Sequence, residues 1–147
     1  MWSMFKKLQK ILLVDDSESD NYIHARKIAK ADVTDEIIVK YSGIEALDYL
    51  CNKNSEEDYP RPQLIFLDIN MPGMNGWEFM EAYDQIEEKM KANVVITMLT
   101  TSIADSDKEL AMKRSDINAY ENKPLTEKKL WNILEKFFPE RFVDEDK

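Results

Sequence analysis

The sequence predicts an α/β fold, a doubly wound five-stranded parallel sheet with helices on both faces, and three observations predict it. Short apolar runs alternate along the chain with stretches of helical period, the pattern of strands joined by crossover helices. The third run, Leu64-Ile65-Phe66-Leu67, is apolar at every position, as a strand buried on both faces requires. Helix-capping residues fall at the joints: Ser42 with Glu45, Asn75 with Glu78, and Thr126.

The first strand is expected at residues 10–14, followed by a helix over 19–31 that Ser17 or Ser19 caps and whose Tyr22, Ala25 and Ala29 share one face. A second strand over 36–41 leads into Ser42-Gly43-Ile44-Glu45, a capping box, with Ile44, Leu47 and Cys51 lining the inner side of the helix. Residues 52–63 are polar and acidic and hold Pro60 and Pro62, so they read as an exposed loop, the longest connection in the chain. Strand three, 64–67, is followed by the turn-rich segment from Asp68 to Gly76 and a helix over 77–90 with Met80, Tyr83 and Ile86 in register. Strand four is expected at 94–99, followed by Thr100-Thr101-Ser102 and a weaker helix near 105–114. Strand five lies near 118–121, and the last helix, capped by Thr126, turns Leu130, Ile133, Leu134 and Phe137 inward. Five such units with right-handed crossovers give an open sheet. In the flavodoxin-like order 2-1-3-4-5 the strand direction of travel reverses between strands one and three, and ligands bind beyond the carboxyl ends at that point.

At 147 residues and 44% hydrophobic, the chain fits one domain with a self-sufficient core. Residues 10–138 form the expected domain, between an N-terminal extension, 1–9, and a charged tail, 139–147, frayed from Phe142 onward. The net charge of -9 repels phosphate backbones and anionic membranes, so neither nucleic acid nor membrane is an expected partner. Lys6, Lys7 and Lys10 precede an apolar run too short for a secretion signal or a membrane span. The single Cys51 cannot form an internal disulfide and is read as packing. Together with the lack of zinc spacing it fits a reducing, cytoplasmic setting.

Asp15 and Asp16 end strand one, Asp68 ends strand three, and Lys123 closes strand five. A lone Asp at a strand end is usually a helix cap or a loop residue, and Asp15 and Asp16 could simply favour the positive end of the first helix. Three carboxylates and a lysine at strand ends instead suggest a charge cluster built for a cation and a phosphoryl group. Carboxylates held together raise one another's pKa unless a cation offsets them, and an all-oxygen set favours a hard ion such as Mg²⁺.

Four segments then carry a resemblance: Val14-Asp15-Asp16, the run Leu67-Asp68-Ile69-Asn70-Met71-Pro72-Gly73-Met74-Asn75-Gly76, Leu99-Thr100-Thr101-Ser102, and Tyr120-Glu121-Asn122-Lys123-Pro124. They resemble, in order and each at an expected strand end, the signature segments of the response-regulator receiver domain of two-component signalling. The match runs over about residues 10–138. The resemblance implies that Asp68 takes a phosphoryl group from a histidine kinase or phosphotransfer protein. It also implies that Asp16 and Asp68 bind Mg²⁺ directly, Asp15 holds it through water, and Asn70 contributes its backbone carbonyl. Lys123 would pair with a phosphoryl oxygen, and Pro124 would hold the loop that aims it, a cis bond being one means. Thr100 matches the switch hydroxyl, with Thr101 as its neighbour and competitor, and Tyr120 matches the switch aromatic. Asn70 and Ser102 match positions that adjust water access. Trp131 and Phe138, read as the rim of the last helix's core stripe, outline with Lys113 and Tyr120 the surface that family members use for homodimerisation or a downstream protein target. His24, on the first helix beside the kinase-docking face, is expected as an exposed histidine without a role.

Two other classes compete. An Mg²⁺-dependent phosphatase of the haloacid dehalogenase type also uses an aspartyl nucleophile and a lysine, but it expects Asp-x-Asp after the first strand, where this chain has Asp15-Asp16-Ser17. A binding module that is never phosphorylated would have no need of every site residue. The expectation is therefore a non-enzymatic phospho-acceptor with self-dephosphorylation at most. The long loop 52–63 and the absence of a glycine in Arg114-Ser115-Asp116-Ile117 depart from the family's usual pattern without touching the site. The long loop resembles that of small stand-alone regulators, some of which serve phytochrome-type kinases.

Overall fold

A computed structural model of the chain describes residues 4–53, 58–91, 95–101 and 105–143. A short β1 (Met4–Phe5) precedes β2 (Leu8–Val14), α1 (Glu18–Ala31), β3 (Thr34–Lys40) and α2 (Gly43–Cys51). Then follow β4 (Leu64–Leu67), α3 (Gly76–Gln85), β5 (Val95–Thr100), α4 (Asp105–Lys113), β6 (Ala119–Asn122), α5 (Glu127–Phe137) and β7 (Phe142–Val143). The main sheet has the order β3-β2-β4-β5-β6, parallel throughout, which is the expected 2-1-3-4-5 order.

Side-chain alternation along the central strands divides the interior in two. Leu12, Val14, Ile65 and Leu67 face one core with Phe79, Met80 and Tyr83 of α3 and Ala46 and Leu50 of α2. Ile11, Leu13, Leu64 and Phe66 face the other with Ile28 of α1 and Leu130, Ile133 and Leu134 of α5. Because both of its faces are covered, β4 is apolar at every position, and that is why the strand at 64–67 is legible in the sequence.

The caps hold the helices where the sequence places them. Ser17, rather than Ser19, accepts from the Asp20 amide at the start of α1. Asn75 and Glu78 close a reciprocal capping box on α3, and Thr126 caps α5. At α2, Ser42 accepts from the Glu45 amide, but the Glu45 carboxylate reaches the Tyr41 amide, one residue ahead of the expected box.

Several expectations need correction. The inner face of α1 is Asn21, His24 and Ile28, with Tyr22 62% exposed and Ala29 exposed, because Asn21 turns inward to bond the backbone of Asp15. His24 is accordingly buried, not exposed. In α2 the buried residues are Gly43, Ala46 and Leu50; Leu47 packs partly buried against the same core, as expected, and Ile44 points outward. Helix α3 stops at Gln85 and residues 88–90 form a separate 3₁₀ turn: the Ile86 amide closes back on Tyr83 and the Lys91 ammonium takes the Asp84 carbonyl. These residues have ordinary helix propensity, so periodicity alone could not place that stop. In the long connection, Pro60 and Pro62 are buried, held where Lys10 donates to the Pro60 carbonyl and the Gln63 amide bonds the Lys10 carbonyl. Residues 54–57 of it lie outside the described residues.

The chain ends also differ from expectation. Strand β2 begins at Leu8, two residues before the expected start, and Phe142–Val143 pairs antiparallel with Met4–Phe5. Phe5 meets Trp131 edge-on and Phe142 meets it at a tilt, so this two-stranded ribbon partly covers Trp131, while Phe138, expected on the rim, is buried in the same core.

Candidate functional site

Strand register assembles the site. Val14 stands beside Leu67 in the parallel pairing of β2 with β4, so Asp15 and Asp68 leave the sheet side by side. The Asp68 amide donates to the Val14 carbonyl at 2.9 Å and the Asp15 amide to the Lys40 carbonyl at 3.1 Å, which fixes the backbone of both. Asp15 and Asp68 are 4% and 5% exposed, whereas Asp16 faces solvent. One carboxylate oxygen from each of Asp15, Asp16 and Asp68 lies within 4.8 Å of the others.

Lys123 enters from the next pair of strands. Asn122 stands beside Thr100, the Lys123 amide donates to the Thr100 carbonyl at 2.8 Å, and the Lys123–Pro124 bond is cis. The ammonium lies 2.6 Å from Asp15, 2.8 Å from Asp20 and 3.5 Å from Asp68. Burial followed by the Asp15 charge pushes the Asp68 carboxyl from 3.8 up to about 6, against the pull of Lys123 and of the Asn70 amide that bonds it. For Lys123, burial disfavours the charged form, but hydrogen bonds to Asp15 and Asp20 outweigh it and hold the ammonium above the ordinary lysine range.

Close backbone approach completes the frame. The Gly76 amide bonds the Ile69 carbonyl at 2.8 Å, and a Cβ at Gly76 would stand 2.7 Å from the Asp68 carbonyl oxygen and 2.9 Å from the Ile69 Cα. Only glycine lets the first turn of α3 pack against the strand end that carries Asp68. On the other side, Ser17 donates its amide to Asp15 Oδ1 and Asn21 donates Nδ2 to the Asp15 carbonyl, so α1 is tied to the same strand end.

The structure therefore brings Asp15, Asp16, Asp68 and Lys123 into one pocket, with Asn70 at its rim. Thr100 is fully buried at the end of β5, while its neighbour Thr101 is exposed. Tyr120, half-buried on β6, packs against the α3 core rather than within the carboxylate cluster. Ser102 lies outside the described residues. Sequence reasoning missed Asp20, Asn21 and Gly76 as parts of the site. An Asp in a first helical turn reads as a favourable dipole partner, and nothing in spacing shows that Lys123 comes to it from 103 residues away.

The donor set suits a hard cation. Asp15, Asp20 and Asp68 crowd one ammonium and Asp16 adds a further carboxylate beside Asp15 and Asp68, so negative charge is in surplus, and the three clustered side chains offer oxygen alone.

The comparisons agree with this geometry. Residues 11–135 match the family model described as the response regulator receiver domain. The chain is 30% identical over 125 residues to the response regulator Rcp1 of Synechocystis sp., covering 85% of this chain and 83% of that protein. The crystal structure of a two-component response regulator from Cytophaga hutchinsonii superposes with a TM-score of 0.79 at 30% identity, covering 89% of this chain and 97% of that one. The Mn²⁺-bound form of Rcp1 superposes with a TM-score of 0.67 at 28% identity, covering 92% and 97%. With the carboxylate pocket at the switch point of the sheet and this match over most of its length, the chain belongs to the response regulator receiver domain family, the phospho-acceptors of two-component signalling.

Proposed function

We propose that Asp68 is the residue that accepts the phosphoryl group, with Mg²⁺ as the ion at the carboxylates and a histidine kinase or a phosphotransfer protein as donor. The observation that carries this reading is the convergence of Asp15, Asp16 and Asp68 within 4.8 Å beside the Lys123 ammonium. A carboxylate oxygen of Asp68 forms a bond to phosphorus as the bond from phosphorus to the donor's imidazole nitrogen breaks, and its electron pair stays with the imidazole. Such a transfer needs little covalent help from the protein and depends on position and charge. Lys123 is placed to meet a phosphoryl oxygen. Asp16 and Asp68 would hold the ion directly, Asp15 through water, and Asn70 through its backbone carbonyl, and the bound ion supplies neutralisation of charge on the phosphoryl oxygens. Asp15, bonded to Ser17, Asn21 and Lys123, orients the lysine.

Thr100 and Tyr120 serve in this reading as the switch pair. The hydroxyl is taken up by the phosphoryl group, and the aromatic ring repacks against α4, biasing a surface that a downstream protein target or a second copy reads. Among the described residues no helix is long and apolar enough to cross a membrane, and we place the protein in the cytoplasm, without nucleic acid among its partners. Receiver domains act as signalling proteins rather than enzymes, and we assign this chain no turnover beyond loss of its own phosphoryl group.

Incubation with Mg²⁺ and a small phosphodonor tests the reading. Intact mass should rise by one phosphoryl group that is acid-stable and alkali-labile, and Asp68→Asn should abolish the rise. Repeated hydrolysis of phosphate esters, unaffected by Asp68→Asn, would support a phosphatase instead.

A further inference from the structure

We propose that Asp20 is a positioning residue for phosphoryl transfer: it holds the Lys123 ammonium toward α1, and Lys123 exchanges Asp20 for the phosphoryl group when Asp68 is modified. This inference rests on Asp68 being the acceptor.

An ammonium has three N–H donors. Three carboxylates face that of Lys123, and Asp15 and Asp20 take the short contacts, 2.6 and 2.8 Å, while Asp68 is left at 3.5 Å. The lysine is thus drawn off the acceptor. Asp20 holds it from a rigid place: its amide is capped by Ser17, and the next residue, Asn21, ties α1 to the Asp15 backbone. A phosphoryl group on Asp68 brings more negative charge and more acceptor oxygens than the carboxylate had. The ammonium stands 3.5 Å from Asp68, so closing on that group draws it off one of the two carboxylates that hold it at 2.6 and 2.8 Å. Asp15, with 6% of its side chain exposed, would keep the Ser17 amide but lose its charge partner where water can hardly replace it, which is costly. Asp20 is 35% exposed and can be rehydrated where it stands, so it is the partner released. Asp20 therefore restrains the phosphorylated state, both by occupying the lysine and by adding a negative charge close to an anionic donor.

The test compares wild type with Asp20→Asn, Asp20→Ser and Asp20→Glu, each in the full chain and at Mg²⁺ saturation established for that variant. Phosphoramidate is the donor: an Asp68 oxygen bonds to phosphorus as the P–N bond breaks, and the nitrogen leaves as ammonia with the bonding pair and a proton from the donor. Phosphorylation followed by intact mass should run roughly fivefold faster in Asp20→Asn and Asp20→Ser, the factor corresponding to one partly exposed ion pair. Asp20→Glu should restore the wild-type rate. In the unphosphorylated proteins the side-chain NMR resonances of Lys123 should shift in the two neutral variants and hold in Asp20→Glu, a readout that a merely structural role for Asp20 would not move. Wild type that is phosphorylated, with Asp20→Asn and Asp20→Ser at or below its rate, overturns this inference alone. Wild type that takes up no phosphoryl group overturns the assignment of Asp68 and this inference together.

Discussion

Replacing Asp68 with Asn should stabilise the metal-free protein at neutral pH, even though it removes the residue proposed to accept the phosphoryl group. In the folded chain the Asp68 carboxyl stands at about 6 against an ordinary 3.8, raised first by burial and then by Asp15. Between those two values the folded state binds more protons than the unfolded one, so stability falls as pH rises through the window and the loss is complete above it. A shift of about two units corresponds to an upper value of about 3 kcal/mol. Solvent at the pocket mouth reduces this, and about 2 kcal/mol is expected at about pH 7.5. Asn keeps the shape and an oxygen acceptor for Lys123 but carries no charge to bury. The assay is chemical denaturation of wild type and Asp68→Asn in chelator at a series of pH values from about 4 to about 8. The variant should be the more stable above the window and the two should converge toward its acid end. In thermal melts the gap at neutral pH should appear as several degrees, at roughly 2–4 °C per kcal/mol for a chain of this size. Equal stability of the two proteins across the whole range, or a variant less stable at about pH 7.5, would refute the argument that burial and Asp15 strain this carboxylate.

Two further outcomes follow from the same geometry. Mg²⁺ should raise the melting temperature of wild type, by about 3 kcal/mol of stability at a hundredfold excess over its dissociation constant, and Asp16→Ala should lose most of that gain; identical melts with and without the ion would remove the cation from the pocket. Gly76→Ala should cost about 2–3 kcal/mol in denaturant titration, because its Cβ meets the backbone of Asp68 and Ile69 rather than a flexible side chain, and an unchanged midpoint would show that α3 can draw back without loss.

The sequence by itself determined the architecture and most of the pocket. Segments buried on both faces must be apolar, so β4 and residues 11–14 of β2 announce themselves, and the acidic residues that end them mark the crevice where parallel sheets bind ligands. Capping residues marked the starts of α3 and α5, and narrowed that of α1 to Ser17 or Ser19, because their side chains bond amides only three residues away. Tertiary structure decided what depends on partners distant in the chain. The inward face of α1 that carries Asn21 and His24 is tied by the Asn21 bond to the Asp15 backbone, which the apolar pattern does not show, and the partial cover of Trp131 follows from Phe5 and Phe142, brought together from opposite ends of the chain. The place of Asp20 was equally hidden. A first-turn aspartate looks like any other until folding carries Lys123 to within 2.8 Å of it, because local pattern records which residues can be buried and not which charges will meet.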